Sequence, residues 1–250
     1  MKKSIRIISL FLCAAVLFTM CFALTSCKKK EEKIKYTSEY ITDRRVDETF
    51  KDPDGNTAYK LTMVLPQLDE KKIATVDNFN AVISAIEQDS RSTAQAVIGN
   101  KLYKKGVPWT ETADYELTYA SNQYISAVIE RRRETSDGRI SYMKKPVVFS
   151  FRTDSQASLE DFAKINGDNL HTKLANMIID KINDDGGNPP KIADLRAGFT
   201  LEDFALTASG IDIYIQNDSL LSYKGVKDCY SFSFAELTQY LKLPNLPSAE

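Results

Sequence analysis

The chain has 250 residues, 33 basic and 34 acidic side chains, a net charge of −1 and a single histidine. So even a balance excludes the basic face on which nucleic-acid binding depends, and no nucleic-acid partner is expected. Three of the four cysteines fall within the first 27 residues, which leaves Cys229 as the one thiol in the body of the chain. A disulfide framework is excluded with it, and stability has to come from packing.

In chain order, Lys2, Lys3 and Arg6 precede an apolar run from Ile7 to Leu24, which Leu24-Thr25-Ser26-Cys27 closes. A positive start, an apolar middle and a small-residue exit mark a secretory signal. The run of about 18 residues would also serve as an uncleaved transmembrane helix, and the cysteine decides between the two. Leu-Thr-Ser-Cys resembles the bacterial lipobox, in which the thiol takes a diacylglyceryl group and cleavage makes that cysteine the new N-terminus. Residues 1–26 are therefore expected to be a lipoprotein signal peptide. Cys27 is the expected lipidation site and residues 27–35 a charged tether, which implies a lipid-anchored, extracytoplasmic protein. Without residues 1–26 the chain holds 30 basic against 34 acidic residues, a net of −4.

From Tyr36 a hairpin is predicted, with Asp52-Pro53-Asp54-Gly55-Asn56 as its turn and Thr57 to Leu68 as its second strand. Val76, Phe79, Val82, Ile83 and Ile86 recur at spacings of three and four, which predicts a helix with Thr75 or Asp77 as N-cap. It is expected to run through Ala94, Val97 and Ile98 and to stop near Gly106-Val107-Pro108. Residues 36–106 make a first part of the fold and 107–243 a second, with 244–250 as a tail. In the second part Tyr115, Leu117 and Tyr119, then Ile125, Ala127 and Ile129, alternate with polar residues as strands do. Asp137-Gly138 is a hairpin turn, and Val147 to Arg152 continues the sheet. Leu170, Leu174, Met177, Ile178 and Ile182 form a second helical stripe that Gly186-Gly187 closes. Phe199–Thr207, Ile211–Ile215 and Tyr230–Phe232 read as strands, and a last helical turn passes through Leu237, Tyr240 and Leu241. The order predicts an α+β fold: mostly antiparallel sheet with two main helices packed on one face, in two sub-parts.

Candidate chemistry is sparse. His171 has no nucleophile motif to serve and reads as a surface or capping residue. Asp180, Asp184 and Asp185, or Glu160 and Asp161, are candidates to hold calcium or to serve as a glycosidase-like acid/base pair, but the run Asn183 to Gly187 lacks the alternating spacing of a calcium loop and reads as a helix end and turn. No catalytic, cofactor-binding or metal-binding residue is assigned, and no enzymatic activity or cofactor is expected. Arg131-Arg132-Arg133 reads as a solvated hairpin tip or as an anion-binding patch, since the guanidinium fork suits phosphate and carboxylate. Tyr115, Tyr119, Tyr124 and Tyr142 lie on neighbouring predicted strands. Arg131, Arg132, Arg133 and Tyr124 are the candidate partner-binding residues.

Leu65-Pro66-Gln67-Leu68 followed by Asn78-Phe79-Asn80, Phe149-Ser150-Phe151-Arg152-Thr153-Asp154, and Leu159-Glu160-Asp161-Phe162 together resemble a two-part extracytoplasmic domain of unassigned function. That domain occurs in bacterial lipoproteins, in the ectodomain of the lysozyme-sensing anti-sigma-V factor and beside the catalytic domain of some peptidoglycan deacetylases. The resemblance implies a binding or sensing module with a protein partner, such as a lysozyme-like hydrolase. An enzyme or binding protein acting on envelope polysaccharide is the alternative. Many members carry a Gly-Gly-Ala-His loop after the central strand, where this chain has Arg131 to Gly138, so no role of that histidine transfers here.

Overall fold

The computed structural model describes residues 40–69 and 77–242. β1 (Ile41–Lys51) and β2 (Thr57–Leu68) form the expected hairpin. The Asp52 carboxylate accepts the Asn56 N–H at 2.8 Å, and Gly55 sits at φ 85°, a backbone conformation that costs glycine nothing. α1 (Asp77–Gly99) follows, starting at one of the two residues expected to cap it and ending seven residues before Gly106. Thr75 lies outside the described residues.

β3 (Trp109–Ala120), β4 (Tyr124–Glu134) and β5 (Ile140–Ser150) are a meander of antiparallel strands, and the two-residue β6 (Ser155–Gln156) adds to the far end of β5. The six strands make one sheet in the order β1-β2-β3-β4-β5-β6. Every pair is antiparallel except β2 with β3, which run parallel with Tyr59 beside Trp109 and Met63 beside Ala113. A parallel pair needs a long crossover, and α1 supplies it. The fold is thus α+β with a curled, mostly antiparallel sheet.

A second sheet of three antiparallel strands, β7 (Phe204–Leu206), β8 (Gly210–Tyr214) and β9 (Cys229–Ser233), comes later in the chain. Before it stand α2 (Gly167–Asp184) and α3 (Ile192–Arg196), and α4 (Phe234–Leu237) follows β9. Asn166 accepts the Asn169 N–H at 2.8 Å and so holds the N-cap of α2, leaving no capping role for His171.

The two main helices serve separate hydrophobic clusters. α1 lays Phe79, Ile83 and Val97 on Tyr59, Leu61, Met63 and Leu65 of β2 and on Ile125 and Ile129 of β4. α2 lays Leu170, Leu174, Ile178 and Ile182 against Phe204, Ile211, Ile213 and Phe232 of the small sheet, together with Tyr124 of β4 and Val148 of β5. Side chains alternate along a strand, so β4 feeds both clusters: odd-numbered residues toward α1, Tyr124 and Val128 toward the other side. Its residues from Tyr124 to Ile129 are all buried, as befits a strand covered on both faces. The Ser126 hydroxyl accepts the Leu206 N–H at 2.9 Å and docks the small sheet on the large one.

Candidate functional site

A cluster of charge lies beneath α1. Glu111 of β3 stands on the apolar side of its strand and is fully buried, a position a carboxylate occupies only when paired. Its Oε1 accepts from Ser90 Oγ at 2.7 Å and from Arg131 Nε at 2.7 Å. Its Oε2 accepts from the Tyr59 hydroxyl and from Arg133 Nε at 2.9 Å. Arg131 is spent in turn: its other two nitrogens donate to Asp89 Oδ2 at 2.7 Å and Ser90 Oγ at 2.9 Å. Burial by itself would raise the Glu111 carboxyl, but the Tyr59 hydrogen bond, the Arg131 charge and the Ser90 hydroxyl outweigh it and hold the group below its ordinary value. Burial first, then the bond to Glu111, pushes the Tyr59 hydroxyl up, so it remains a donor. Every member of the set has its partners. Such a set fixes the register between β3, β4 and α1 but offers no free reactive group.

This corrects the reading of the arginine run. Arg131 to Arg133 belong to β4, and the hairpin tip is Thr135 to Arg139, where Gly138 takes φ 81°. Arg131 is only 7% exposed and Arg133 points the same way, so neither is a free surface cation. Arg132 faces the opposite side, half-exposed, and pairs with Glu134 at 2.8 Å. Tyr124 is likewise buried, its ring packed on Phe162 at 5.4 Å between centroids, so it does not present a contact surface. Among the four tyrosines singled out on these strands, Tyr142 is the exposed one, at 66%.

The remaining candidates have structural partners. His171 packs edge-on to Phe199 at 4.6 Å, half-buried rather than superficial, with Nε2 enclosed and without a hydrogen-bond partner. Burial, then the Arg196 charge, lowers its pKa. Asp161 closes a capping box with Ser158, and Asp185 pairs with Lys227 at 2.7 Å. Burial pushes the Cys229 thiol up to about 11, which leaves it unreactive near neutral pH. Among the described residues no group of three or more histidine, cysteine or carboxylate side chains is arranged to hold a metal. No described helix is long and apolar enough to cross a membrane. Cys27, the signal and the tether lie outside the described residues.

One concave feature adjoins the charge cluster. A cleft of about 440 Å³ runs between α1 and β5, walled by Val82, Ala85 and Ile86 on one side and Met143 and Val147 on the other. Arg131, Asp89, Lys144, Lys145, Gln156 and Gln216 complete it. Lys145 reaches the buried Asp203 at 3.1 Å, while Lys144 pairs with the exposed Glu130 and Asp228 at 3.4 and 3.1 Å. Apolar walls with a polar mouth suit an apolar side chain delivered from outside. Sequence reasoning did not reach this cleft, nor Glu111, Ser90 and Tyr59. The signal was strand parity: Arg131 and Arg133 share the odd positions of Ile125, Ala127 and Ile129, and Glu111 shares those of Tyr115 and Leu117.

No protein-family model and no curated protein matches the sequence. Solved structures do. A member of the DUF3298 family from Bacteroides fragilis superposes with a TM-score of 0.51 at 12% identity, over 80% of this chain and 92% of that one. A DUF3298 family protein from Pseudomonas aeruginosa gives a TM-score of 0.53 at 12% identity, over 84% of this chain and 98% of that one. At this identity the likeness establishes a DUF3298-like fold.

Proposed function

We propose that the protein is a lipid-anchored envelope module, held to the membrane through Cys27, that binds or senses a protein partner and catalyses no reaction. The observation that carries this reading is the cleft between α1 and β5. Its walls are apolar and its one carboxylate, Asp89, is held by Arg131 at 2.7 Å. Acid–base chemistry on a polysaccharide calls for two carboxylates converging on one bond, whereas an apolar slot beside an exposed strand suits recognition. The resemblance to the lysozyme-sensing ectodomain suggests a lysozyme-like hydrolase as partner. The exposed ring of Tyr142 favours wall glycan as a second ligand, since a tyrosine face stacks on sugar rings.

Membranes carrying the full chain, incubated separately with purified lysozyme and with purified peptidoglycan, test the proposal. Saturable retention of lysozyme with intact peptidoglycan is expected. Peptidoglycan turnover that disappears in Asp89→Asn would replace the binding module with an enzyme, and retention of neither ligand would remove both named partners.

A further inference from the structure

β6 pairs with β5 only at Phe149 and Ser150, and beyond Val148 the outer edge of β5 has no neighbouring strand among the described residues. Backbone groups along that edge alternate. Val148 C=O accepts from Ala157 N–H at 2.7 Å and Lys144 C=O from Gln216 Nε2 at 3.0 Å, so the even-numbered residues point outward. Pro146 carries no N–H, which closes the edge to pairing at that point. Among the described residues, the outward backbone groups of Ile140 and Tyr142 and the N–H of Lys144 have no partner. Both open residues carry exposed side chains on the face opposite Met143 and Val147, and the apolar cleft begins at the next residue along the strand, Met143, with α1 as its other wall. An open strand edge next to a helix-walled slot is the arrangement that accepts an extended segment: main-chain bonds hold it, and an alternate side chain enters the slot.

Charge identifies the occupant. From Arg139 to Lys145 the edge carries Arg139, Lys144 and Lys145 and no carboxylate. The pairs that Arg139 and Lys144 make with Asp137, Glu130 and Asp228 are solvent-exposed and cheaply exchanged, whereas Lys145 is held by the buried Asp203. A second copy of the same strand would set cations against cations. We infer that β5 binds an acidic, extended segment of a protein partner by strand addition along Ile140–Lys144, with an apolar side chain of that segment seated between α1 and β5. This deepens the binding-module reading and rests on it.

Two synthetic peptides, one alternating valine with glutamate and one alternating valine with lysine, are titrated against the full chain while site-resolved hydrogen exchange is followed. The acidic peptide should bind and slow exchange at Ile140, Tyr142 and Lys144, leaving the inward amides of Ser141 and Met143 as they were. Tyr142→Pro deletes one outward N–H and should weaken it up to about tenfold, the upper value of one main-chain bond. Should that variant fail to fold, Arg139→Glu with Lys144→Glu takes its place and should transfer the preference to the lysine peptide. Equal binding of both peptides, protection away from β5, or unchanged affinity in these variants would overturn strand addition. So would protection of the edge that rises with protein concentration in the absence of peptide, which would make a second copy the occupant. Retention of lysozyme on membranes is read separately, so this inference can fail while the binding-module reading stands.

Discussion

Glu111 receives four hydrogen bonds, two at each carboxylate oxygen, from Tyr59, Ser90, Arg131 and Arg133. Removing it strands two guanidinium groups under α1. Glu111→Gln should therefore cost about 3–5 kcal/mol in chemical denaturation, the usual penalty for breaking a buried pair. Replacing Glu111, Arg131 and Arg133 together by leucine, methionine and leucine should recover most of that loss, because the desolvation cost vanishes along with the attraction. The pH dependence follows from the direction of the shift. The Glu111 carboxyl sits below its ordinary 4.5 in the folded chain. Its contribution is complete above the unfolded value and is lost as pH falls through the folded one. His171 acts at milder pH. Its folded pKa lies below the ordinary 6.5, so protons favour the unfolded chain, and stability drops as pH falls through 6.5 toward the folded value. His171→Phe should flatten the thermal stability profile between pH 7 and 5, and a variant as acid-sensitive as the parent would remove His171 as the cause. Part of this is legible in strand parity. Alternation along β4 already assigned Arg131 and Arg133 to one face and Arg132 to the other, but which face α1 would cover depends on a crossover that periodicity does not encode.

At the scale of elements, the two helical stripes and the two hairpin turns were legible because each is a local pattern. The spacing of Phe79, Ile83 and Ile86 is that of one helical face, and Asp52 to Asn56 and Asp137-Gly138 supply the backbone angles that turns need. α3 was not legible, since five residues from Ile192 to Arg196 hold too little of a stripe to register. The strand expected over Phe199–Thr207 shortens to Phe204–Leu206 because Thr200 to Asp203 form a turn, in which the Asp203 carboxylate accepts the Thr200 N–H and hydroxyl at 2.8 Å. The α2 stripe gives a direct test. Leu174 is fully buried among Leu170, Ile178 and the strands of the small sheet. Leu174→Asp places a carboxylate there with no cation to meet it and should cost several kcal/mol, about 3 or more, read as a large fall in melting temperature. A variant melting with the parent would show that α2 does not cover this core.

The whole molecule joins an N-terminal segment read from sequence alone to a body whose fold is DUF3298-like. The anchoring claim is tested apart from the fold. Cys27→Ala should lose incorporated acyl label and accumulate as precursor, and label retained in that variant would end the lipoprotein reading. Within the body, the parts expected over 36–106 and 107–243 meet along the parallel pair of β2 and β3, and β4 gives side chains to both hydrophobic clusters. That parallel seam has a kinetic consequence. β1 with β2 close through one short turn, and β3, β4 and β5 through two, so each group assembles from near neighbours in the chain. Joining them waits on the whole excursion from Leu68 to Trp109, whose closure entropy is spent before any contact rewards it. A refolding chain is therefore expected to pass through a stage in which the β1–β2 hairpin and the β3–β5 meander are formed while their facing edges, β2 and β3, are still bare. In that interval, rather than in the finished fold, the chain is most exposed to aggregation.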